Sequence, residues 1–178
     1  MAFFGTNTIL GSTFTLNRGG PQWCSRYRPS SSGNVYQISC YLAGQVGTNA
    51  NFTMDIYADD GSLLKPGILL ATSTSTLITS SLPAQWITAP IRLKIVQGGN
   101  YWLCPRLENA GASGVTINAD ATVNPGRSGI FDQQSSPATG FVLTADPFGQ
   151  SIYADYNVLT TTEKDDAPFS VGGRGAGW

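Results

Sequence analysis

The most informative chemical feature of this 178-residue chain is a missing one, since it contains no histidine. The commonest general base, the usual base of a nucleophilic triad and the commonest metal ligand are therefore absent together. Carboxylates remain. Asp55, Asp59, Asp60, Glu108, Asp120, Asp132, Asp146 and Asp155 form the pool from which a glycosidase would draw its acid and its base. Most of them sit in turn-like surroundings. Asp59, Asp60 and Asp146 are expected to set turn geometry, and Asp55 and Asp155 to face solvent from strands. Asp55, Asp59 and Asp60 offer oxygens of the kind that hold calcium at strand ends, but their spacing matches no dedicated calcium loop, and a hairpin turn is expected instead. The run Gly172 to Gly177 lacks a following helix and so is not a phosphate cradle. The reading assigns no catalytic residue, no cofactor and no metal.

Aromatic rings are the other chemistry on offer. Tyr57, Trp86, Trp102 and Tyr153 combine a large apolar face with a polar handle, the combination that stacks on a sugar. In the strand pattern Tyr101-Trp102-Leu103 neighbouring side chains point to opposite faces, so one ring goes inward and the other outward, and only one is a platform unless the second face is also covered. Cys24, Cys40 and Cys104 match no zinc spacing. Cys40 and Cys104 lie within apolar strands and are expected to behave as small buried hydrophobes.

The elements that must position these groups read as strands. From Asn34, the set Tyr36, Ile38, Cys40, Leu42 alternates with Val35, Gln37, Ser39, Tyr41, and a second run carries Phe52, Met54, Ile56 and Ala58 to a turn at Asp59-Asp60-Gly61. Pro66-Gly67 opens a strand through Thr72, followed by a polar Ser/Thr connection to Ser81. In Trp86 to Val96, Ile91, Leu93 and Ile95 point inward and Arg92 and Lys94 outward, with Pro90 marking an edge or a bend. The turn Gly98-Gly99-Asn100 predicts a hairpin joining this run to Tyr101–Leu107. Shorter strands are expected at Val115 to Ala119, Gly140 to Thr144 and Ile152 to Leu159, where Ile152, Ala154, Tyr156 and Val158 share a face. Residues 1–17 and 163–178 read as arms flanking a domain over 18–162.

Composition supports this picture. Charged residues are 12% of the chain, with two glutamates and three lysines, so surface polarity comes from Ser, Thr, Asn, Gln and Gly, which suit strands and turns better than helices. A net charge of −1 gives no general attraction to phosphate, so nucleic acid is not an expected partner; Arg18, Arg26 and Arg28 are read as solvated strand-edge charges. No apolar run reaches membrane-spanning length, and the start Met1-Ala-Phe-Phe4 has no signal-peptide pattern, which points to synthesis in a reducing cytoplasm. The fold class expected is all-β, a jelly-roll-like antiparallel sandwich with extended N- and C-terminal arms.

The order of elements adds a resemblance. Gly33-Asn-Val-Tyr-Gln-Ile-Ser-Cys-Tyr-Leu-Ala-Gly44, Asp55-Ile-Tyr-Ala-Asp-Asp-Gly61, Pro66-Gly67 with Leu69-Leu-Ala-Thr-Ser73, Trp86-Ile-Thr88 and Gly99-Asn-Tyr-Trp-Leu103 follow one another as in a β-sandwich module of phage virion proteins and bacterial surface proteins. Over residues 23 to 107 the chain resembles that module, which serves both as a structural plate and as a carbohydrate-binding-like domain. The resemblance implies a non-enzymatic virion structural protein, a capsid decoration or cement subunit on the virion surface. Its partners would be the major capsid protein or tail subunits, within a homo-oligomer, expected as a trimer. Phe3, Phe4, Ile9, Leu10, Phe169, Val171 and Trp178 are the expected apolar anchors on the arms. The alternative is carbohydrate binding, as in host-receptor recognition by a tail fibre.

Overall fold

The computed structural model describes residues 1–16, 22–45, 49–61, 65–108, 114–120, 129–131, 141–143 and 149–160, with backbone only for residues 45, 129–131 and 141–143. Among these residues there are fourteen strands and no helix: β1 (Ala2–Gly5), β2 (Ser12–Leu16), β3 (Ser25–Tyr27), β4 (Gly33–Gln45), β5 (Ala50–Asp59), β6 (Pro66–Thr72), β7 (Thr76–Ile78), β8 (Gln85–Ile95), β9 (Tyr101–Leu107), β10 (Val115–Asp120), β11 (Gly129–Phe131), β12 (Phe141–Leu143), β13 (Gly149–Gln150) and β14 (Ile152–Val158). All pairings are antiparallel.

Sheet I is organised around the long strand β4. One edge of β4 carries β8; along the other lie β14 and then β10, with β1 outside β14, β2 outside β10, and β13 paired to the end of β10. Sheet II has the order β3-β9-β5-β6, and β7 shares the β6 edge of β5. A separate ribbon joins β11 to β12. The two large sheets pack face to face as an all-β sandwich. Ile38, Cys40, Leu42, Ile117, Ile152 and Ala154 from sheet I meet Phe52, Met54, Ile56 and Leu103 from sheet II in one core, each of them almost fully buried. Full burial of such side chains stabilises the fold by roughly 1.5–3 kcal/mol apiece. A bond from the Tyr27 hydroxyl to the Gln150 carbonyl (2.9 Å) ties β3 of one sheet to β13 of the other.

Successive strands β4 and β5, β7 and β8, β8 and β9, and β9 and β10 lie in opposite sheets. The expected β8–β9 hairpin is therefore not formed. The link from Val96 to Asn100 carries the chain across the sandwich instead, with Gly98 at a φ of 77°, its N–H bonded to the Pro29 carbonyl and its carbonyl held by Arg28 Nε at 2.8 Å. A short Gly turn permits a hairpin but does not compel one. Here the inward faces of both strands are satisfied by opposite walls of the core.

Three further expectations are corrected by the structure. Opposite β14 the β4 register passes from Val35 to Gln37 while β14 advances by one residue, leaving Tyr36 as an extra residue in a bulge; opposite β8 the same step spans Ile91 and Arg92. The bulge reverses the alternation at that end, so Val35 is buried and Tyr36 half-exposed, while Ile38, Cys40 and Leu42 point inward as the pattern says. At the end of β14, Ile152, Ala154 and Tyr156 are buried but Val158 is exposed. Residues 1–16, expected as an arm, instead contribute β1 and β2 to the chain's own sheet, where they cover edges of β14 and β10. The C-terminal arm lies outside the described residues.

The centre of sheet II, β5 and β9, is buried on both faces. Every residue of β9 is buried, and on its second face Trp102, Cys104 and Arg106 lie beside Thr53, Asp55 and Tyr57 of β5, again all buried. Cys24, one position before β3, stands opposite Cys104 and forms a disulfide with it. The reading of Cys104 as a free buried hydrophobe is thus overturned, because the β3–β9 register places a partner thiol across from it. Cys40 is free and buried, and burial pushes its thiol far above its usual pKa. Thiol counting should accordingly find no reactive cysteine in the folded chain, one after unfolding, and three after unfolding with reductant. A reactive thiol in the folded protein would contradict this pairing.

Candidate functional site

Asp55, Asp59, Asp60 and Asp155 each hold a hydrogen-bond donor or a cation. Asp55, far from facing solvent, is fully buried and saturated with donors: Arg106 Nε at 2.7 Å and Nη2 at 3.4 Å, Thr72 Oγ1 at 2.7 Å and Gln22 Nε2 at 3.1 Å. Burial pulls the Arg106 guanidinium down, but the hydrogen bond and charge of Asp55, with Glu108 beyond, outweigh it and hold it above the ordinary arginine value. A carboxylate closed in this way is neither a base nor a calcium ligand. Asp59 accepts the Gly61 N–H at 2.9 Å, as a turn residue should, and also accepts Trp102 Nε1 at 3.0 Å. Asp60 pairs with Lys65 and Asp155 with Gln37 Nε2. Asp132 and Asp146 lie outside the described residues.

The four expected sugar-stacking rings divide between two surfaces. Tyr57 and Trp102 are fully buried in a small cluster with the Cys24–Cys104 disulfide on the covered second face of sheet II, and Arg26 lies over the Trp102 ring at 5.9 Å. They stiffen the fold and cannot meet a ligand. Trp86 and Tyr153 are half-exposed on the outer face of sheet I, and the sheet brings them to 5.2 Å from one another in an edge-to-face contact.

Two rings missed as platform residues complete the row. Tyr41 stands opposite Trp86 in the β4–β8 register, 5.4 Å from it, and Phe3, opposite Asp155 on β1, packs 5.9 Å from Tyr153. Phe3, Tyr153, Tyr41 and Trp86 thus run across four strands, β1, β14, β4 and β8. The outward parity of Tyr41 was visible in the sequence, but its neighbours were not, because they come from residues 3, 86 and 153. Gly5 faces Tyr153 on β1 at a φ of 114°, and a Cβ there would lie 2.6 Å from the Tyr153 Cα, so this end of the row requires glycine.

Beyond the rings, the same face carries hydrogen-bonding pairs and then charge. Ser39 Oγ and Thr88 Oγ1 are 2.8 Å apart, Gln37 reaches Asp155 at 2.8 Å, and Asn34 lies opposite Lys94. At the bulge, Tyr36, Asn34, Arg92 and Lys94 border an open groove of about 510 Å³ that also touches Val35 and Leu93. A second hollow, about 80 Å³ between Phe14, Trp23 and Ala119, is far below the roughly 300 Å³ of ordinary ligand pockets.

The expected assembly anchors are not equivalent. Phe4 is in the core against Tyr101 and Tyr156, and Leu10 is buried with its N–H on Ser151 Oγ; neither is available to a neighbour. Both belong to a segment that closes its own sheet. Phe3 and Ile9 are exposed. Phe169, Val171 and Trp178 lie outside the described residues. The sequence reading missed exposed apolar side chains at two places along the β6–β7 edge of sheet II, Ile68 (73% exposed) and Leu69 on β6, and Leu77 (60% exposed) on β7. The chain matches no protein-family model and no curated protein, so its functional reading rests on these surfaces.

Proposed function

We propose that this protein is a non-enzymatic virion structural subunit, a decoration or cement protein that joins neighbouring copies or the major capsid protein through the free edge of sheet II. The observation that carries this reading is the contrast between two edges of the sandwich, β8 of sheet I and β6–β7 of sheet II. The β8 edge bears Pro90, Arg92 and Lys94, residues that discourage further strand pairing. The β6–β7 edge bears no charge: apart from Pro66 at its start, β6 and β7 consist of Gly, Ile, Leu, Ala and Thr, and among the described residues they pair only with β5. An unguarded apolar edge suits a chain whose partner is always present. The buried disulfide fits the same reading, because disulfides persist on virion and cell surfaces and are rare in the cytosol.

The full chain is expected to run as a homo-oligomer, a trimer in this reading, when its mass is measured by light scattering across a concentration series. Ile68→Lys with Leu77→Lys should give a folded monomer, since both side chains are already solvent-facing and the change costs little stability. A wild-type chain that stays monomeric at the highest concentration, or a double variant that assembles as before, would sink the proposal. The aromatic row on sheet I favours a second reading, recognition of carbohydrate, which is compatible with a surface subunit.

A further inference from the structure

We infer that the outer face of sheet I is a binding surface for an acidic oligosaccharide, one carrying carboxylate sugars, laid along β4 and β8. The inference rests on the carbohydrate reading above and adds the ligand's charge, its direction and the residues that sort it. Three features converge on one face. Phe3, Tyr153, Tyr41 and Trp86 supply apolar ring surface at one end. Thr88, its hydroxyl braced by the buried Ser39, and Gln37 supply hydroxyl and amide groups in the middle. Arg92 and Lys94 stand at the other end around the groove that Tyr36 also borders.

Charge decides the class of sugar. Arg92 and Lys94 are exposed and have no acidic side chain within ion-pair distance among the described residues, whereas Arg106 and Lys65 are each paired. In a chain of net charge −1, two unpaired cations two residues apart on one strand face make a local positive site. Guanidinium and ammonium groups reward a carboxylate with charge-assisted hydrogen bonds. Among the described residues Asp155 is the one carboxylate on this face near the rings; it accepts a hydrogen bond from Gln37, which lies opposite Pro90, and repels an anion from the middle of the face. An acidic group therefore belongs at the Arg92–Lys94 end. From Trp86 to Lys94 the strand extends about 26 Å at the usual rise per residue, which accommodates several sugar units. A short flat ligand would use only one end; a chain uses both.

The test titrates the full-length protein with oligomers of galacturonic, mannuronic and sialic acid. Neutral dextran oligomers and poly-glutamate serve as the uncharged and the sugar-free comparisons, and tryptophan fluorescence and calorimetry are the readouts. At least one acidic oligosaccharide should bind, with affinity falling about tenfold in Trp86→Ala and about tenfold in Arg92→Gln/Lys94→Gln, the equivalent of about 1.4 kcal/mol each. Unchanged melting temperatures show that the variants fold, and neutral dextran should bind no better to wild type than acidic oligomers bind to the charge variant. Dextran binding as tight as the acidic oligomers, with no effect of the charge variant, would overturn the acidic class and leave the carbohydrate reading standing. Poly-glutamate binding equally tightly and indifferently to Trp86→Ala would reduce the face to a polyanion surface and overturn the inference. If no saccharide binds at all, the inference and the carbohydrate reading fail together.

Discussion

Removing the Cys24–Cys104 crosslink should cost the protein about 4–5 kcal/mol of unfolding free energy. The two cysteines are separated by 80 residues, and closing a loop of that length withdraws chain entropy from the unfolded state in proportion to the logarithm of its size. A domain of this kind has only about 5–15 kcal/mol in total. Native-state packing adds to the effect, since both sulfurs are buried against Tyr57 and Trp102. Urea unfolding of Cys24→Ala/Cys104→Ala should show the lowered midpoint, and the wild-type chain unfolded in reductant should match it. A difference under about 1 kcal/mol would mean that the crosslink does not constrain the unfolded chain in solution. The prediction also bears on function. A protein whose stability depends on this bond reaches full strength only where the bond persists, in an oxidising environment more than in a reducing one.

Breaking the Asp55–Arg106 pair is the second large expected effect. Asp55→Ala leaves the Arg106 guanidinium almost completely buried with, among the described residues, the Glu108 carboxylate at 3.5 Å in reach, removes the acceptor of the Thr72 hydroxyl, and leaves Gln22 Nε2 with the Cys104 carbonyl at 3.4 Å. Loss of one partner of a buried ion pair typically costs about 3–5 kcal/mol, because the remaining charge stays desolvated. Replacing both partners, Asp55→Leu with Arg106→Met, should cost clearly less than the sum of the single changes, since no charge is then stranded. Chemical unfolding of the four proteins in that cycle decides the matter. Additive losses would show that the two groups are not coupled across β5 and β9. A circular dichroism spectrum unchanged in the folded baseline establishes that each variant reaches the same sandwich.

The two predictions concern one surface, the second face of sheet II, and that surface explains why two of the expected sugar platforms do not serve as such. The alternation of Tyr101, Trp102 and Leu103 required one ring to point away from the core, and it does. What alternation does not reveal is whether the far side of a sheet is wet. Here it is dry, and a disulfide, an ion pair and two large rings fill it. The outward face of sheet I has the same period-two pattern and stays open, which leaves Trp86 and Tyr153 at the surface.

By itself the sequence determined the fold class, most of the strands and their inward faces, because burial of one sheet face imposes a period of two that composition and turn residues punctuate. It also determined what chemistry was absent, since the lack of histidine is a fact about residues and needs no geometry. Only the tertiary structure decided which strands pair. A Gly turn between β8 and β9 is compatible with a hairpin and with a crossing, and the choice depends on which wall of the core each strand joins. The bulge at Tyr36 was likewise hidden, for an inserted residue changes parity only relative to a partner strand. The Cys24–Cys104 bond, the Asp55–Arg106 pair and the row from Phe3 to Trp86 join residues that the sequence holds far apart, brought together by sheet register. Pattern along a chain reports which way a side chain points, and only packing across strands decides what it meets there.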